Sequence, residues 1–587
     1  MALNKLKKFL QESNIDFFIQ PNCDSFFSEY LPDHCKRIEF ITNFSGSNAC
    51  VIFGKKKSYF FTDSRYTLQA ADQIDNNEFE IINLAKQNIL SWFKQNLSQK
   101  QIIALDTKLF NINFISDILK ITDNKNAKIR FLDHNPIDNF WLSRPKIANS
   151  KIYFCDNKFT GQESQIKRQK IILNIKGDAL LISNPQNLCW LLNIRASDVK
   201  YSPILLSYAI LYKDGSCDLF ADKNLISDIK NPNLVNVNII DSNLFEEKLT
   251  KIKEIDIVKN TVNYYIFAIL QKNNIAINYK NDDIEELKAI KNKSEIVGTI
   301  NAHYLDGSAV TKFLYWIDQA VKNNIAIDEL SAADKLYQFR KENEEFIYPS
   351  FATISSFASN GAVIHYQPTI KTNKKITGNS LYLVDSGGQY NKNKAFGTTD
   401  ITRTIAIGNV SQEMVNNFTN VLKGHIAIAN AKIPYKISGA NIDILARYNL
   451  YKSGLDYGHG TGHGVGSFLS VHEGGCGISK NCYHELKAGM VISNEPGFYK
   501  DNEYGIRIEN LILVKKDSDD FLCFKTISLA PIDHNLINFK MLTFEEKKWL
   551  IDYHIEIYDK IAMMLNIDEK DWLANIIKIY QQKNSLH

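Results

Sequence analysis

A chain of 587 residues is too long for one hydrophobic core and calls for two to four domains. At 44% hydrophobic and 23% charged residues it is an ordinary globular composition, and a formal net charge of +4 gives no basic surface for nucleic acid. Nine scattered cysteines, odd in number and without a C-x-x-C pair, fit free buried thiols in a reducing, cytoplasmic setting better than a disulfide framework.

The first stretch, MALNKLKKFLQESNID, alternates apolar and charged residues as an amphipathic helix does, and lacks the apolar core of a secretory signal. The longest nearly apolar run, 203–212, is far short of the roughly 20 residues that span a membrane. A strand is expected over 16–20, then a hairpin from 49–53 and 59–62 around GKKKS, then a helix in SRYTLQAADQ with Ser64 as its cap. A similar order returns later: strand DALLISN (178–184), helix PQNLCWLLNIR (185–195) with Pro at its start, and hairpin SYAILYKDGSCDLFAD (207–222). Two similar α/β domains follow, with a true duplication left open. Polar sequence around 140–165 and a charged helical stretch at 280–296 set the boundaries. The expected domains are 1–145, 146–286 and 287–587, the last ending in amphipathic helices.

Chemistry-bearing residues gather in the third region. SLYLVDSGGQY is an apolar strand ending in Asp385, and GTTDITRTIAIG begins with a Gly-Thr-Thr turn, after which Asp400, Thr402 and Thr404 share a strand face. Taken singly, each aspartate reads as an ordinary hydrogen-bonded residue. GHGTGHGVG places His459 and His463 four apart, the spacing of H-E-x-x-H zinc proteases. No Glu stands between them, and five glycines in nine residues make a loop rather than a helix. VISNEPGFY puts Glu495 at the end of a short strand. YGIRIENLILV puts Arg507 and Glu509 on one strand face, where a plain ion pair would contribute about 0.2–1 kcal/mol.

Considered together, Asp385, Asp400, Glu495 and Glu509 with His463 fit a ring around two divalent cations, whose mutual repulsion bridging carboxylates screen. An oxygen-rich set with one imidazole suits Mn²⁺, with Zn²⁺ or Co²⁺ as substitutes.

VDSGGQY…GTTDITRT, HGTGHGVGSFLSVHEG, NEPGFY and GIRIEN resemble the pita-bread metallopeptidases, and most of all the three-domain cytosolic aminopeptidase P (Xaa-Pro aminopeptidase) family. ITNFSGSNACVIF and FTDSRYTLQAA resemble that family's first domain, and CWLLNIRASDVKYSPILLSYAIL its second. The resemblance implies an α/β (α+β) chain: two creatinase/prolidase-like N-terminal α/β domains followed by a pita-bread catalytic domain. It also implies two Mn²⁺ per subunit on Asp385, Asp400, His463, Glu495 and Glu509, with Glu495 taking the proton of the attacking water. By the same resemblance His365 and His472 hydrogen-bond the scissile carbonyl, His459 lines the proline pocket, and Arg65 reaches the active site of a neighbouring subunit in a homodimer. The implied substrates are peptides with proline in second position, with neither nucleic acid nor membrane as partner.

Two departures stand out. NKNKAFG lengthens the link between the first two aspartates, fifteen residues apart, and Tyr451 stands where relatives often carry Trp. Prolidase shares the metal set but usually has one domain ahead of the catalytic one. Methionine aminopeptidase lacks such N-terminal domains. Creatinase lacks the metal, and a non-enzymatic binding module of this fold would have lost its ligands.

Overall fold

The computed structural model describes residues 2–147, 150–228 and 230–585. Of the stretches expected from the sequence, Met1 of the first helix, Ala148 and Asn149 of the connector, and Leu586 and His587 lie outside the described residues. The chain forms two compact units. One comprises Met1–Asn157 with Gln162–Ile284, the other Lys158–Gly161 with Glu285–His587.

The first unit contains two six-stranded sheets. In chain order the strands of the first are Phe17–Pro21, Cys50–Gly54, Ser58–Thr62, Phe79–Asn83, Ile102–Asp106 and Lys128–Leu132. Those of the second are Ala179–Ile182, Ala209–Tyr212, Cys217–Phe220, Val237–Ile240, Glu254–Ile257 and Ala276–Tyr279. Counted along the chain within each sheet, both have the order 4-3-2-1-5-6. The antiparallel and parallel pairings also match one for one. The strand–helix–hairpin order legible in sequence is thus one topology built twice.

Alternation explains how such a sheet is buried on both faces. Phe18, Val51, Phe53 and Phe60 join one apolar cluster, while their neighbours Ile19, Ile52 and Phe61 join another. Two local expectations need correction. The helix after the first hairpin runs Thr67–Gln73 with Tyr66, not Ser64, at its N-cap and no side-chain cap; ahead of it Asp63 accepts the Arg65 N–H at 2.9 Å. The helix expected over 185–195 ends at Leu192, where Asn193 turns left-handed (φ 53°) and Ile194–Arg195 pairs as a short strand.

The second unit twice places a helix pair ahead of strands: Lys293–Lys322 with Glu329–Lys341, then Gln412–Ala429 with Gly439–Tyr451. Strand Ser380–Ser386 runs between Ile354–Phe357 and Ile401–Ile407. Its Tyr382 and Val384 pack with Val310, Phe313 and Ile317 of the long helix. A six-stranded sheet takes Lys432–Pro434, Phe521–Thr526, Asn510–Lys516, Val491–Asn494, Gly462–Gly464 and Glu473–Ile478, in that spatial order. Helices Phe544–Ile561 and Ile567–Ser585 supply Leu550, Ile557, Leu573 and Ile576 to the largest core of this unit.

The lengthened link between the two aspartates is itself a hairpin, Gly388–Lys392 with Ala395–Thr398, that pairs with Phe346–Pro349. The expected Gly-Thr-Thr turn is therefore half strand: Gly397 and Thr398 pair, and the chain turns after them. All nine cysteines are free thiols, six of them buried. No helix among the described residues is long and apolar enough to cross a membrane.

Candidate metal centre

Four strand ends and loops of the second unit bring the acids together. Asp385 is the next-to-last residue of the buried strand Ser380–Ser386, in register with Thr402, and Asp400 immediately precedes the neighbouring strand. Glu495 follows Val491–Asn494 at the point where Pro496 stops pairing, and its N–H is held by the Thr461 carbonyl at 2.8 Å. Glu509 falls in the gap between Tyr504–Arg507 and Asn510–Lys516. These two strands belong to different sheets, so the continuous strand expected over 504–514 is broken. The break also undoes the plain Arg507–Glu509 ion pair that a shared strand face would have allowed. Arg507 donates instead to Asp385 at 2.7 Å and to the Tyr499 hydroxyl at 2.6 Å, while Glu509 accepts from Thr402 at 2.7 Å.

His463 occupies the middle of the three-residue strand Gly462–Gly464. Its flanking glycines permit close approach, since a Cβ on Gly462 would lie 1.9 Å from the Ser493 carbonyl oxygen. Nδ1 lies 2.9 Å from the Gly464 carbonyl and must be the donor there. Nε2 is thereby directed at Asp400 Oδ2, 3.4 Å away, and Glu495 Oε1, 3.5 Å away. Two ligands of one transition-metal ion commonly stand about 3–3.5 Å apart. Ligand atoms of Asp400, His463 and Glu509 all lie within 4.8 Å of one another.

The electrostatics call for added positive charge. Buried Asp385, Asp400 and Glu509 share this volume with half-buried Glu495 and with the buried guanidinium of Arg507. Burial, then the charges of Asp385 and Glu495, hold the Asp400 carboxyl well above its ordinary pKa. Burial and then Asp400 do the same to Glu509. Burial also raises Glu495, with His463 and Arg507 pulling the other way. Asp385 Oδ1, Asp400 Oδ1 and Glu509 Oε1 are buried with no hydrogen-bond donor among the described residues. Orphaned carboxylate oxygens beside a directed imidazole nitrogen are the donor set that divalent cations take. The residues fit a two-cation centre.

The remaining candidates spread out from it. The His472 ring meets the His463 ring edge to face at 4.3 Å between centroids. His459 contacts the Tyr499 hydroxyl through Nε2 at 2.9 Å, so it joins the site through Tyr499 and Arg507. His365 is half-buried in the turn after Ala358–Ala362, between buried Ile364 and Tyr366. Arg65 belongs to the other unit, where its guanidinium grips Asp63 through Nε at 3.0 Å and Nη2 at 2.7 Å.

Sequence reasoning missed three supporting groups: Tyr499, Thr402 as the donor to Glu509, and Ser493. The Ser493 hydroxyl receives the His463 N–H at 2.9 Å and donates to Glu495 at 3.3 Å. Tyr499 and Ser493 both lie within VISNEPGFY, where Ser493, a polar residue two from Glu495, was the available signal.

The chain matches the Creatinase/Prolidase N-terminal domain over residues 3–133 and again over 143–295. It matches metallopeptidase family M24 over 299–516 and the C-terminal region of peptidase M24 over 520–579. It is 35% identical to a probable Xaa-Pro aminopeptidase P of Laccaria bicolor over 97% of this chain and 92% of the relative. To Xaa-Pro aminopeptidase 1 of Dictyostelium discoideum it is 35% identical, over 98% of this chain and 96% of the relative. Among solved structures it is similar to an X-prolyl aminopeptidase of Caenorhabditis elegans, described as a cytosolic enzyme with a di-nuclear active site. That match has TM-score 0.93 and 31% identity, and covers 98% of both chains.

Proposed function

The chain belongs to metallopeptidase family M24, and we propose that it is an aminopeptidase hydrolysing the N-terminal Xaa-Pro bond of peptides at a centre holding two divalent cations. The observation that carries this is the gathering of buried Asp385, Asp400 and Glu509 with half-buried Glu495 and His463, in which three carboxylate oxygens have no donor among the described residues. Similarity along nearly the whole length to relatives named for Xaa-Pro cleavage supports the substrate class. The oxygen-rich donor set supports Mn²⁺ as the metal, with Zn²⁺ or Co²⁺ as substitutes.

When bound, the cation pair supplies Lewis acidity, acidifying a water molecule and polarising the scissile carbonyl. Glu495, steadied by Ser493, accepts the proton of the attacking water. An Xaa-Pro amide has no N–H, so the departing proline nitrogen must gain a proton, and Glu495 returns it. His472 and His365 donate to the carbonyl oxygen as charge develops on it. Arg507 orients Asp385 through its hydrogen bond, and Tyr499 ties His459 to the same guanidinium, so the proline side of the pocket is fixed to the metal side. In a cytoplasmic homodimer, Arg65 serves the neighbouring subunit's substrate.

The test is cleavage of Arg-Pro-Pro against the free dipeptide Ala-Pro by metal-stripped protein, with and without Mn²⁺. Mn²⁺-dependent release of Arg with poor dipeptide cleavage is the expected result. Cleavage of the dipeptide alone would move the reading to prolidase, and cleavage of neither would end it.

A further inference from the structure

Glu329 opens the helix Glu329–Lys341 and is fully buried, yet every donor described around its carboxylate is uncharged. The Phe357 N–H donates to Oε1 at 2.6 Å. Asn360 Nδ2 lies 3.0 Å from each carboxylate oxygen. The Tyr366 hydroxyl and the Lys374 N–H both donate to Oε2 at 2.9 Å. The backbone adds two more ties: the Glu329 carbonyl accepts from Ser355 Oγ at 2.7 Å, and its N–H donates to the Lys374 carbonyl at 3.1 Å. Burial raises the Glu329 carboxyl above its ordinary pKa against the pull of these donors.

All of these donors come from one segment, and that segment carries His365. Phe357 and Asn360 precede the histidine, Tyr366 adjoins it and Lys374 follows. Between them the turns are closed by Val363 N–H to the Asn360 carbonyl at 3.1 Å and Tyr366 N–H to the Val363 carbonyl at 3.0 Å. Ala358 is held left-handed at φ 53°, which costs an alanine about 1–2 kcal/mol and persists only where its surroundings enforce it. On its other side the segment packs backbone to backbone on the strand Tyr504–Arg507: a Cβ on Gly505 would lie 1.8 Å from the Gly361 carbonyl oxygen. Arg507 of that strand holds Asp385. The loop is thus clamped between a carboxylate on a rigid helix and the strand that orients a metal ligand.

From this convergence we propose that Glu329 is a positioning residue for the reaction: it fixes the 357–374 segment and so holds His365 at the scissile carbonyl. The proposal rests on the reading of His365 given above. Its test measures kcat and KM for Arg-Pro-Pro with the Mn²⁺-loaded full chain and compares Glu329→Gln, Tyr366→Phe and His365→Ala with each first variant combined with His365→Ala. A glutamine amide offers donors where Lys374 and Tyr366 need an acceptor. Displacement of His365 by about 1 Å is then expected to lower kcat about 10–100-fold. KM and Mn²⁺ affinity should change less than about threefold, because neither the metal ligands nor the pocket are touched. In the His365→Ala background Glu329→Gln should cost almost nothing further, since the group it positions is gone. Tyr366→Phe removes one bond and should give a smaller kcat loss with the same non-additivity, which keeps the test open if Glu329→Gln does not fold. Losses that add fully in the double variants overturn the proposal alone. A His365→Ala variant with wild-type kcat overturns the underlying reading and the proposal with it.

Discussion

Replacing Gly462 by alanine probes how tightly the strand carrying His463 is seated. The new Cβ would stand 1.9 Å from the Ser493 carbonyl oxygen and 3.4 Å from Ile492 Cγ2. A carbon approaches a carbonyl oxygen comfortably only to about 3.3 Å, so relief needs a displacement of about 1.4 Å. That movement acts on the backbone next to His463, on the bond from its N–H to Ser493 and on the bond from Glu495 N–H to Thr461. Catalytic groups displaced by about 1 Å commonly lose about 100-fold in rate, or about 2.7 kcal/mol of transition-state stabilisation. Gly460→Ala is the control, because its Cβ would meet nothing nearer than Ser479 Cβ at 3.4 Å. The assay is kcat/KM on Arg-Pro-Pro at saturating Mn²⁺, with Mn²⁺ affinity by calorimetry and the folded fraction checked by circular dichroism. The expected outcome is a loss of about 100-fold with weakened Mn²⁺ binding for Gly462→Ala, and less than about threefold change for Gly460→Ala. Gly462→Ala within threefold of wild type, with unchanged metal affinity, would refute the claim that the glycine seats the ligand.

Removing Asp306 strands the buried Arg340, which Asp306 meets at 2.7 and 3.1 Å, and also deprives the Tyr390 hydroxyl of its acceptor. Asp306→Ala should lower stability by about 3–5 kcal/mol, and the paired change Asp306→Leu with Arg340→Met by clearly less, as urea midpoints would show. Burial lowers the pKa of His554 to about 3. Its neutral ring donates from Nδ1 to the Leu550 carbonyl at 2.6 Å and accepts the Ile532 N–H at 3.1 Å. The folded ring stays neutral where the unfolded one titrates near 6.5, so its contribution is intact above that pH and lost as pH falls toward 3. The stability gap between wild type and His554→Gln should therefore shrink by about 1.4 kcal/mol at pH 5.5 relative to pH 7.5, and an unchanged gap would contradict the assignment. Mn²⁺ at a thousandfold excess over its dissociation constant should stabilise the stripped protein by about 4 kcal/mol. The melting temperature should rise with metal concentration, an effect that Asp400→Asn blunts.

Much of this protein is legible in local chemistry. Alternating apolar residues announce the hairpin Cys50–Gly54 with Ser58–Thr62, and Pro185 announces the start of the helix Pro185–Leu192. The glycines around His463 exclude a helix on propensity alone, but within the loop they suggest, Gly462–Gly464 pairs as a short strand. The ligand types are equally visible, because a carboxylate at an apolar strand end needs a cation or a network of donors wherever the strand goes. What sequence could not determine is which groups meet. Arg507 and Glu509 look like partners because they are two residues apart, but one sheet ends and another begins between them. Arg507 consequently joins Asp385, 122 residues away in the chain. The link NKNKAFG looks like a loose insertion, yet its pairing with Phe346–Pro349 makes it part of a sheet. Glu329 carries no sequence signal at all, since the donors that give it meaning lie 28 to 45 residues further on. Periodicity and turn chemistry act over a few residues and can be read in order along the chain. Hydrogen bonds and charge pairs depend on separation in space, which only the folded chain supplies.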